Sequence, residues 1–364
     1  MLAPVYGCIF VALLPCLYML ELQVHKNPSL ALQAETELLA AFVASLFGSM
    51  VLYRVFFHRL SAFSGPFGAK VSKVWHVWKV RYSQNHLVMH ELYREYGKFV
   101  RTGPEEITIF DPEALVAMNG PGSNCTRADW YDGISPLKSV ANLRSPTVHD
   151  QRRRIWDKAF TANALRYYDS RTTKYAEQLN QLIATSLGRP VNMFVRLGNK
   201  PLMQLNGWKD LIEFTKRSLK EKMMNEPHVP DISSYLVGAS AERLEEDADY
   251  LEGDALVLII VGSDSTATTL INLFANLARH PKYQEQILKE IQTLPSIMDF
   301  SALLKLPILK SVIMETLRLW PPVPTGSGGL VPPAGLNIAG KFIPERTVIF
   351  APRYTIARYR YFFM

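Results

Sequence analysis

Residues 255–270 read ALVLIIVGSDSTATTL, an apolar run that meets Gly262 and then the polar cluster Ser263, Asp264, Ser265 and Thr266. The stretch predicts the middle of a long helix that starts near Leu244 and stops at His280-Pro281, where proline has no amide to continue the ladder. Residues 255–261 are apolar on every side, which predicts burial all round, as in the central helix of a large domain. A carboxylate in such a helix is costly unless it is hydrogen-bonded or has a task. Neighbouring hydroxyls can also bond carbonyls one turn earlier and open the helix there. Taken alone, the cluster is explained most simply by a solvated groove, and it is the surrounding segments that reverse that reading.

The chain has 364 residues, 48% of them hydrophobic and 20% charged, enough for one large core or two modest ones and too apolar for disorder. Its formal charge is +7, but the basic residues are spread through predicted helices and no nucleic-acid motif accompanies them. The excess reads as membrane-surface preference or solubility, with no nucleic acid as partner. The three cysteines, Cys8, Cys16 and Cys125, have no zinc or disulfide spacing, which predicts a reduced, cytosolic body.

Met1 to Leu20 carries no charge, and at ~1.5 Å per residue it is long enough to cross a ~30 Å hydrocarbon core. Leu38 to Phe57 is a second such stretch, interrupted by Arg54, whose long side chain is expected to snorkel to the headgroups. The loop between them holds Glu21, Glu35 and Glu37 against Lys26, whereas Arg54 to His90 holds six Lys or Arg residues and no acid. This asymmetry predicts a transmembrane hairpin with everything after Phe57 on the cytoplasmic side. A cleaved signal peptide is the rival for the first span, and it lacks the basic start and the small-residue cleavage site. Residues 1–60 are thus expected to be an anchor and 61–364 a soluble domain, joined at Ser64-Gly65-Pro66-Phe67-Gly68. Trp75, Trp78 and Tyr82 suit either the headgroup level or core packing.

A helix is expected to end at Tyr96-Gly97, followed by a hairpin of Phe99–Arg101 and Ile107–Phe110 turned at Gly103-Pro104, and then a helix opened by Asp111-Pro112. Pro121 to Pro146 is loop-rich. HDQRRRIWDKAF, His149 to Phe160, begins a helical pattern that continues to Leu187. Its arginine triplet suits a solvated face; alternatively His149 and Arg153, four apart, meet a bound anion. Helices are also predicted over Trp208–Met224, from Asp231, over Lys282–Leu294 and over Leu306–Trp320, while Val191–Gly207 shows no clear element. Glu315 and Arg318 lie on one face of the Leu306–Trp320 helix, where an exposed pair would be worth only about 0.3–0.5 kcal/mol. Short strands follow near Leu336–Ala339 and Arg346–Phe350, with a last helix at Tyr354–Arg358.

The order VGSDST, then ETLR, then WPPVP, with HDQRRRIWDKAF and the apolar N-terminus ahead of it, resembles the cytochrome P-450 family of membrane-anchored fungal type. The resemblance implies a mainly α fold with a small β region behind a transmembrane hairpin. It also implies a heme-thiolate monooxygenase that inserts one oxygen atom from O2 into a hydrophobic small molecule. An NADPH reductase would supply electrons at the endoplasmic reticulum membrane, with the soluble domain in the cytosol.

By position, Asp264 and Ser265 resemble the family's acid and alcohol proton-delivery pair. Gly262 resembles the small residue that lets the central helix widen beside the heme, and Arg153 with His149 resembles the propionate-binding residues. Glu315 and Arg318 resemble the buried structural pair. Serine in place of the usual threonine keeps the hydroxyl and loses the methyl that fixes its rotamer.

The family's axial cysteine lies in a glycine-rich loop after the E-x-x-R helix, and no cysteine follows Cys125 here. The resemblance is therefore to a form truncated before that loop, with the pocket-roofing helices shortened after Val191. Its alternative function is that of a non-catalytic fragment, marginally stable and poorly packed in its N-terminal half and tail.

Overall fold

The computed structural model describes residues 3–186, 207–225, 230–240, 247–297 and 300–358. The chain divides into two units, Met1–Trp78 with Arg101–Pro104, and Lys79–Val100 with Glu105–Met364. The sequence stretch Val191–Gly207 and the expected helix start at Leu244 lie outside the described residues, Gly207 excepted.

In the first unit, α1 (Ala3–His25) and α2 (Pro28–Leu52) form the expected helical hairpin. Its turn is local chemistry: Lys26 takes a positive φ of 52°, Asn27 Oδ1 accepts the Ser29 amide at 3.0 Å, and Pro28 supplies the first helical residue. Phe10 and Phe42 stack between the helices at 5.5 Å. The stretch Pro28–Phe57 is long and apolar enough to cross a membrane. It closes with a π-helical turn, Tyr53–Phe57.

Arg54 does not snorkel. Its Nη1 donates to the Val71 carbonyl at 2.6 Å, near the end of α3 (Phe67–Val71), and its own carbonyl accepts from Arg101 Nη1 at 2.8 Å. A carbonyl left open at a helix end offers a guanidinium a better place than the headgroups do. Leu60, Phe63 and Ala69 form the buried part of this unit. Next comes α4 (Lys73–Lys79).

The second unit opens with α5 (Asn85–Tyr96), which ends where Gly97 adopts a positive φ of 83°. The hairpin strands are β1 (Phe99–Gly103) and β2 (Glu106–Ile109). Asp111 then caps α6 (Pro112–Asn119) by accepting the Glu113 amide at 3.1 Å.

A five-stranded sheet runs in the order β1-β2-β7-β4-β3, with β3 (Thr126–Arg127), β4 (Gly329–Leu330) and β7 (Val348–Phe350). β2 pairs parallel with β7, Ile107 opposite Ile349, while β4 runs antiparallel to both β7 and β3. β5 (Leu336–Ile338) and β6 (Lys341–Ile343) make a separate hairpin. Ile107, Ile109, Ile338, Ile343 and Ile349 are wholly buried, so the tail is well packed, contrary to expectation. The reason is non-local pairing: the tail strands complete the sheet that β2 begins.

The helical body holds α7 (Pro146–Ala159), α8 (Ala162–Ala184), α9 (Trp208–Met224), α10 (Ile232–Ala239), α11 (Ala248–Arg279) and α12 (Pro281–Gln292). It ends with α13 (Phe300–Leu303), α14 (Pro307–Leu319) and α15 (Arg353–Ile356). The pattern read as one helix to Leu187 is two, because Thr161 leaves helical geometry and its hydroxyl caps α8 through the Ala164 amide. α11 contacts α9, α10, α12 and α14, which makes it the centre of this body.

Asp231 fastens α8, α9 and α10 together. It caps α10 through the Ser234 amide at 3.0 Å, and its Oδ2 accepts from Arg171 Nη1 at 2.9 Å and Lys222 Nζ at 2.7 Å. Burial raises its pKa, but the bonds from Lys222, Ser233 and Ser234 outweigh that and hold the carboxyl well below the usual carboxylate range. A depressed carboxyl stabilises the fold above its unfolded value, near pH 4, and loses that contribution as pH falls through the folded value. Asp231→Asn is therefore expected to cost about 1–2 kcal/mol at pH 7. In urea unfolding followed by circular dichroism, the difference from wild type should shrink between pH 5 and about pH 2. An undiminished difference at low pH would refute this account of Asp231.

Candidate functional site

The site is built from α7, α11 and the loop between Met118 and Pro146. On α7, Arg152, Trp156 and Ala159 recur at the spacing of one helical face and are buried. On α11, Leu251 and Asp254 form the matching face, and Asp254 is completely buried. Arg152 Nε donates to Asp254 Oδ2 at 2.5 Å, linking residues 102 positions apart. Asp254 Oδ1 accepts the Val140 amide at 3.0 Å, and Arg152 Nη1 approaches Ser240 Oγ at 3.4 Å.

Burial pushes the Asp254 carboxyl up, and Arg152 and the Val140 amide pull it back only in part. Around the pair, Trp156, Leu236 and Leu251 form an apolar core to which Val140, Val257 and Leu258 add. One residue earlier on α11, Gly253 allows close backbone approach: a Cβ there would lie 2.1 Å from the Lys138 carbonyl oxygen.

The cavity beside α7 has a volume of about 620 Å³, and its wall includes Ser123, Cys125, Arg127, Arg144, His149 and Arg153. The structure thus brings His149 and Arg153 together on one wall, as their four-residue spacing implied. His149 Nδ1 lies 3.1 Å from Asp150 Oδ1, and Arg153 Nε donates to Asp157 Oδ1 at 2.7 Å. Arg144 bridges Asp129 and Asp132. Arg153 and Asp157 are largely exposed, so their pairing is worth at most about 1 kcal/mol and yields readily to a better anion. Cys125 is half-buried on the same wall, and burial pushes its thiol up, an effect that the Ser123 hydroxyl offsets only in part.

The polar cluster of α11 differs from expectation. The first half of the helix buries Leu251, Gly253, Asp254 and Leu256, yet Ile260 and Val261 are 36% and 56% exposed. Gly262, Asp264 and Thr266 are exposed as well, so burial is not all round. Ser263 Oγ donates to the Ile259 carbonyl and Ser265 Oγ to the Val261 carbonyl, both at 2.5 Å. These are the predicted one-turn-back bonds, but they do not open the helix, which stays α-helical from Ala248 to Arg279. Bonding back to a carbonyl already in the ladder shares it without breaking the turn. Asp264 and Gly262 are exposed, and nothing lies within 4 Å of where a Gly262 Cβ would stand. None of Gly262, Asp264 and Ser265 lines the cavity of His149 and Arg153.

Glu315 and Arg318 meet in a two-pronged ion pair, each bond 2.6 Å long. The expectation of a buried pair is corrected here, since the Glu315 side chain is 54% exposed. Glu315 stands on the wall of a second cavity of about 630 Å³ between α11, α12 and α14, which leaves it open on one side. Arg318 also donates to the Ala357 carbonyl, and Arg358 to the Leu319 carbonyl, so each arginine holds the other's segment.

Sequence reasoning chose Arg153 from the triplet and passed over Arg152 and Asp254. The signal was present: Leu251, Asp254 and Leu258 recur at helical spacing, placing a carboxylate on an apolar stripe, and Arg152 shares a stripe with Trp156.

Residues 203–363 match the cytochrome P450 family profile. The chain is 30% identical over 380 residues to tryprostatin B 6-hydroxylase of Aspergillus fumigatus, covering 88% of this chain and 68% of that protein. It is 31% identical over 375 residues to a cytochrome P450 monooxygenase of Aspergillus versicolor, covering 87% and 69%. A zebrafish cytochrome P450 structure with abiraterone shares the fold at a TM-score of 0.56 and 16% identity, over 76% of this chain and 79% of that one.

Gly253→Ala is expected to destabilise the protein by about 1–3 kcal/mol in guanidinium unfolding, because the added methyl meets a backbone oxygen that cannot rotate away. Gly262→Ala, into open space, should cost nothing of that kind. Equal stability of the two variants would contradict the close approach of α11 to Lys138.

Proposed function

Because this chain belongs to the cytochrome P450 family, we propose that its chemistry is heme-dependent insertion of one oxygen atom from O2 into a hydrophobic small molecule. The observation that carries this reading is the cavity wall on which α7 sets His149 and Arg153 side by side. Two cationic or hydrogen-bonding groups one turn apart suit a pair of carboxylates, the acidic end of a heme. When bound, the heme supplies the oxidation chemistry, and the protein supplies binding, orientation and proton handling.

The fit is two-sided. The residues at the carboxylate end suit the group. The group would also take a cysteine thiolate as ligand, and Cys125 does not suit that role: burial raises its pKa, whereas ligating thiolates sit where the pKa is lowered.

The chain's own residues perform the remaining tasks. Asp264 is exposed beside Ser265 on α11. The Ser265 hydroxyl donates to the Val261 carbonyl, which leaves its oxygen lone pairs free to accept a proton as another leaves. Asp264 and Ser265 together are read as the proton-delivery pair. Glu315 and Arg318 hold α14 to the Ala357 segment and act structurally.

The helix pair α1–α2 is read as a membrane anchor in the endoplasmic reticulum, with the second unit in the cytosol and an NADPH reductase as electron donor. The basic run after Phe57 supports that orientation. Tryprostatin B 6-hydroxylase, a relative, is a fungal hydroxylase by name, which supports a secondary metabolite as substrate class. A second reading, favoured by the raised thiol of Cys125, is a heme-binding or empty fold without catalysis.

The two readings separate in one spectrum. The full chain, loaded with hemin in detergent, reduced and exposed to carbon monoxide, should show a Soret band at the thiolate position if the monooxygenase reading holds. Hemin binding without that band would establish the non-catalytic reading. With the thiolate band present, Asp264→Asn should lower turnover by at least about a hundredfold.

A further inference from the structure

We propose that Arg152 and Asp254 are a positioning pair for the cavity: their buried contact sets the rotation of α7 against α11, and so the direction in which His149 and Arg153 meet a bound carboxylate. The inference rests on the reading of that cavity as a site for a carboxylate-bearing porphyrin.

Three observations carry it. The first is helical phase. At roughly 100° per residue, Arg153 lies about 100° and His149 about 60° to the same side of Arg152 around the α7 axis. A rotation of α7 moves both of them together, and the contact of Arg152 with Asp254 opposes that rotation alongside the packing of α7 on α10. The second is rigidity of the partner. Asp254 is completely buried, and the backbone on both sides of it is fixed. Val140 donates to its Oδ1 at 3.0 Å, Lys138 donates to the Asp249 carbonyl at 3.1 Å, and Gly253 lies against the Lys138 carbonyl. The third is the surroundings of Arg152. Its guanidinium lies 5.6 Å from the Tyr250 ring, which also faces Lys138 Nζ at 5.2 Å, and its Nη2 is buried without a hydrogen-bond partner among the described residues. A guanidinium with one nitrogen unmatched is a poor choice for stability alone, since apolar residues of similar volume usually stabilise as well or better. Its advantage is directional: a hydrogen-bonded charge pair favours one relative orientation of α7 and α11 more narrowly than apolar contact does.

The test uses the full chain in detergent and two probes, iron protoporphyrin IX and its dimethyl ester, which has the same ring without the two carboxylates. Binding is read by quenching of tryptophan fluorescence. Wild type is expected to prefer the diacid, and Asp254→Asn, which keeps the shape and removes the charge, to reduce that preference about tenfold. This is the lower end of what losing an orienting partner costs a binding site. Affinity for the ester should stay unchanged, since a merely structural defect would weaken both probes alike.

The double variant Arg152→Met, Asp254→Leu guards against misfolding, because such apolar replacements are commonly tolerated. It should keep the melting temperature and lose the preference. If wild type prefers the diacid and either variant keeps that preference, the positioning role is overturned while the cavity reading stands. If wild type binds both probes equally, the cavity reading itself fails and takes the positioning role with it.

Discussion

The second unit depends on one contact, the buried ion pair between Arg152 on α7 and Asp254 on α11. Ionic groups removed from water are expensive, and burial pushes the Asp254 carboxyl up against the pull of Arg152. The apolar cluster of Trp156, Leu236 and Leu251 supplies cohesion, and the pair supplies a unique arrangement. Because α11 also contacts α9, α10, α12 and α14, fixing α7 to α11 relates the cavity wall to the rest of the helical body. The polar cluster on α11 is tied to the same helix ten residues further along, on a stretch where Ile260, Val261, Gly262, Asp264 and Thr266 are exposed.

Carboxylates do three different jobs in this unit, and environment decides which. Asp231, bonded to two cations and a helix amide, is held ionised and fastens three helices. Glu290 reaches 18 residues forward to accept the Ile308 and Leu309 amides, capping α14 from a neighbouring helix. Asp254 is pushed the other way by burial and orients. Asp264 stands exposed on α11, and its reading as a chemical group comes from its place in the VGSDST motif.

Much of this was legible where the physics is local. Tyr96-Gly97, Asp111-Pro112, Asp231, Pro281 and Pro307 mark helix ends through chemistry contained in a few residues, and the helices start and stop there. The apolar hairpin was equally readable, but its turn was not: the second helix starts at Pro28, ten residues before the expected Leu38, so Glu35 and Glu37 lie in the helix and not in the loop. What was hidden depends on partners far along the chain. The triplet Arg152-Arg153-Arg154 carries no mark saying which member faces inward; that is decided by Asp254, 102 residues away. The same holds for Arg54, captured by the Val71 carbonyl, and for the tail strands, which find their place beside β2. Burial around Val261 and Glu315 was overestimated because apolar character and motif were read as burial, whereas burial depends on what packs against each face. His149 and Arg153 stand on one face of α7, as their four-residue spacing implied. Their joint presence on a cavity wall required the loop from Met118 to Pro146, whose course no periodicity describes.

The central claim is that α7 presents a carboxylate-binding wall built for the acidic edge of a porphyrin. An experimental structure of the full chain with hemin tests it most directly. The account predicts the porphyrin carboxylates within hydrogen-bond distance of His149 and Arg153, with Arg152 still on Asp254. Carboxylates directed to any other face of the protein, with His149 and Arg153 left in their pairs with Asp150 and Asp157, would contradict it.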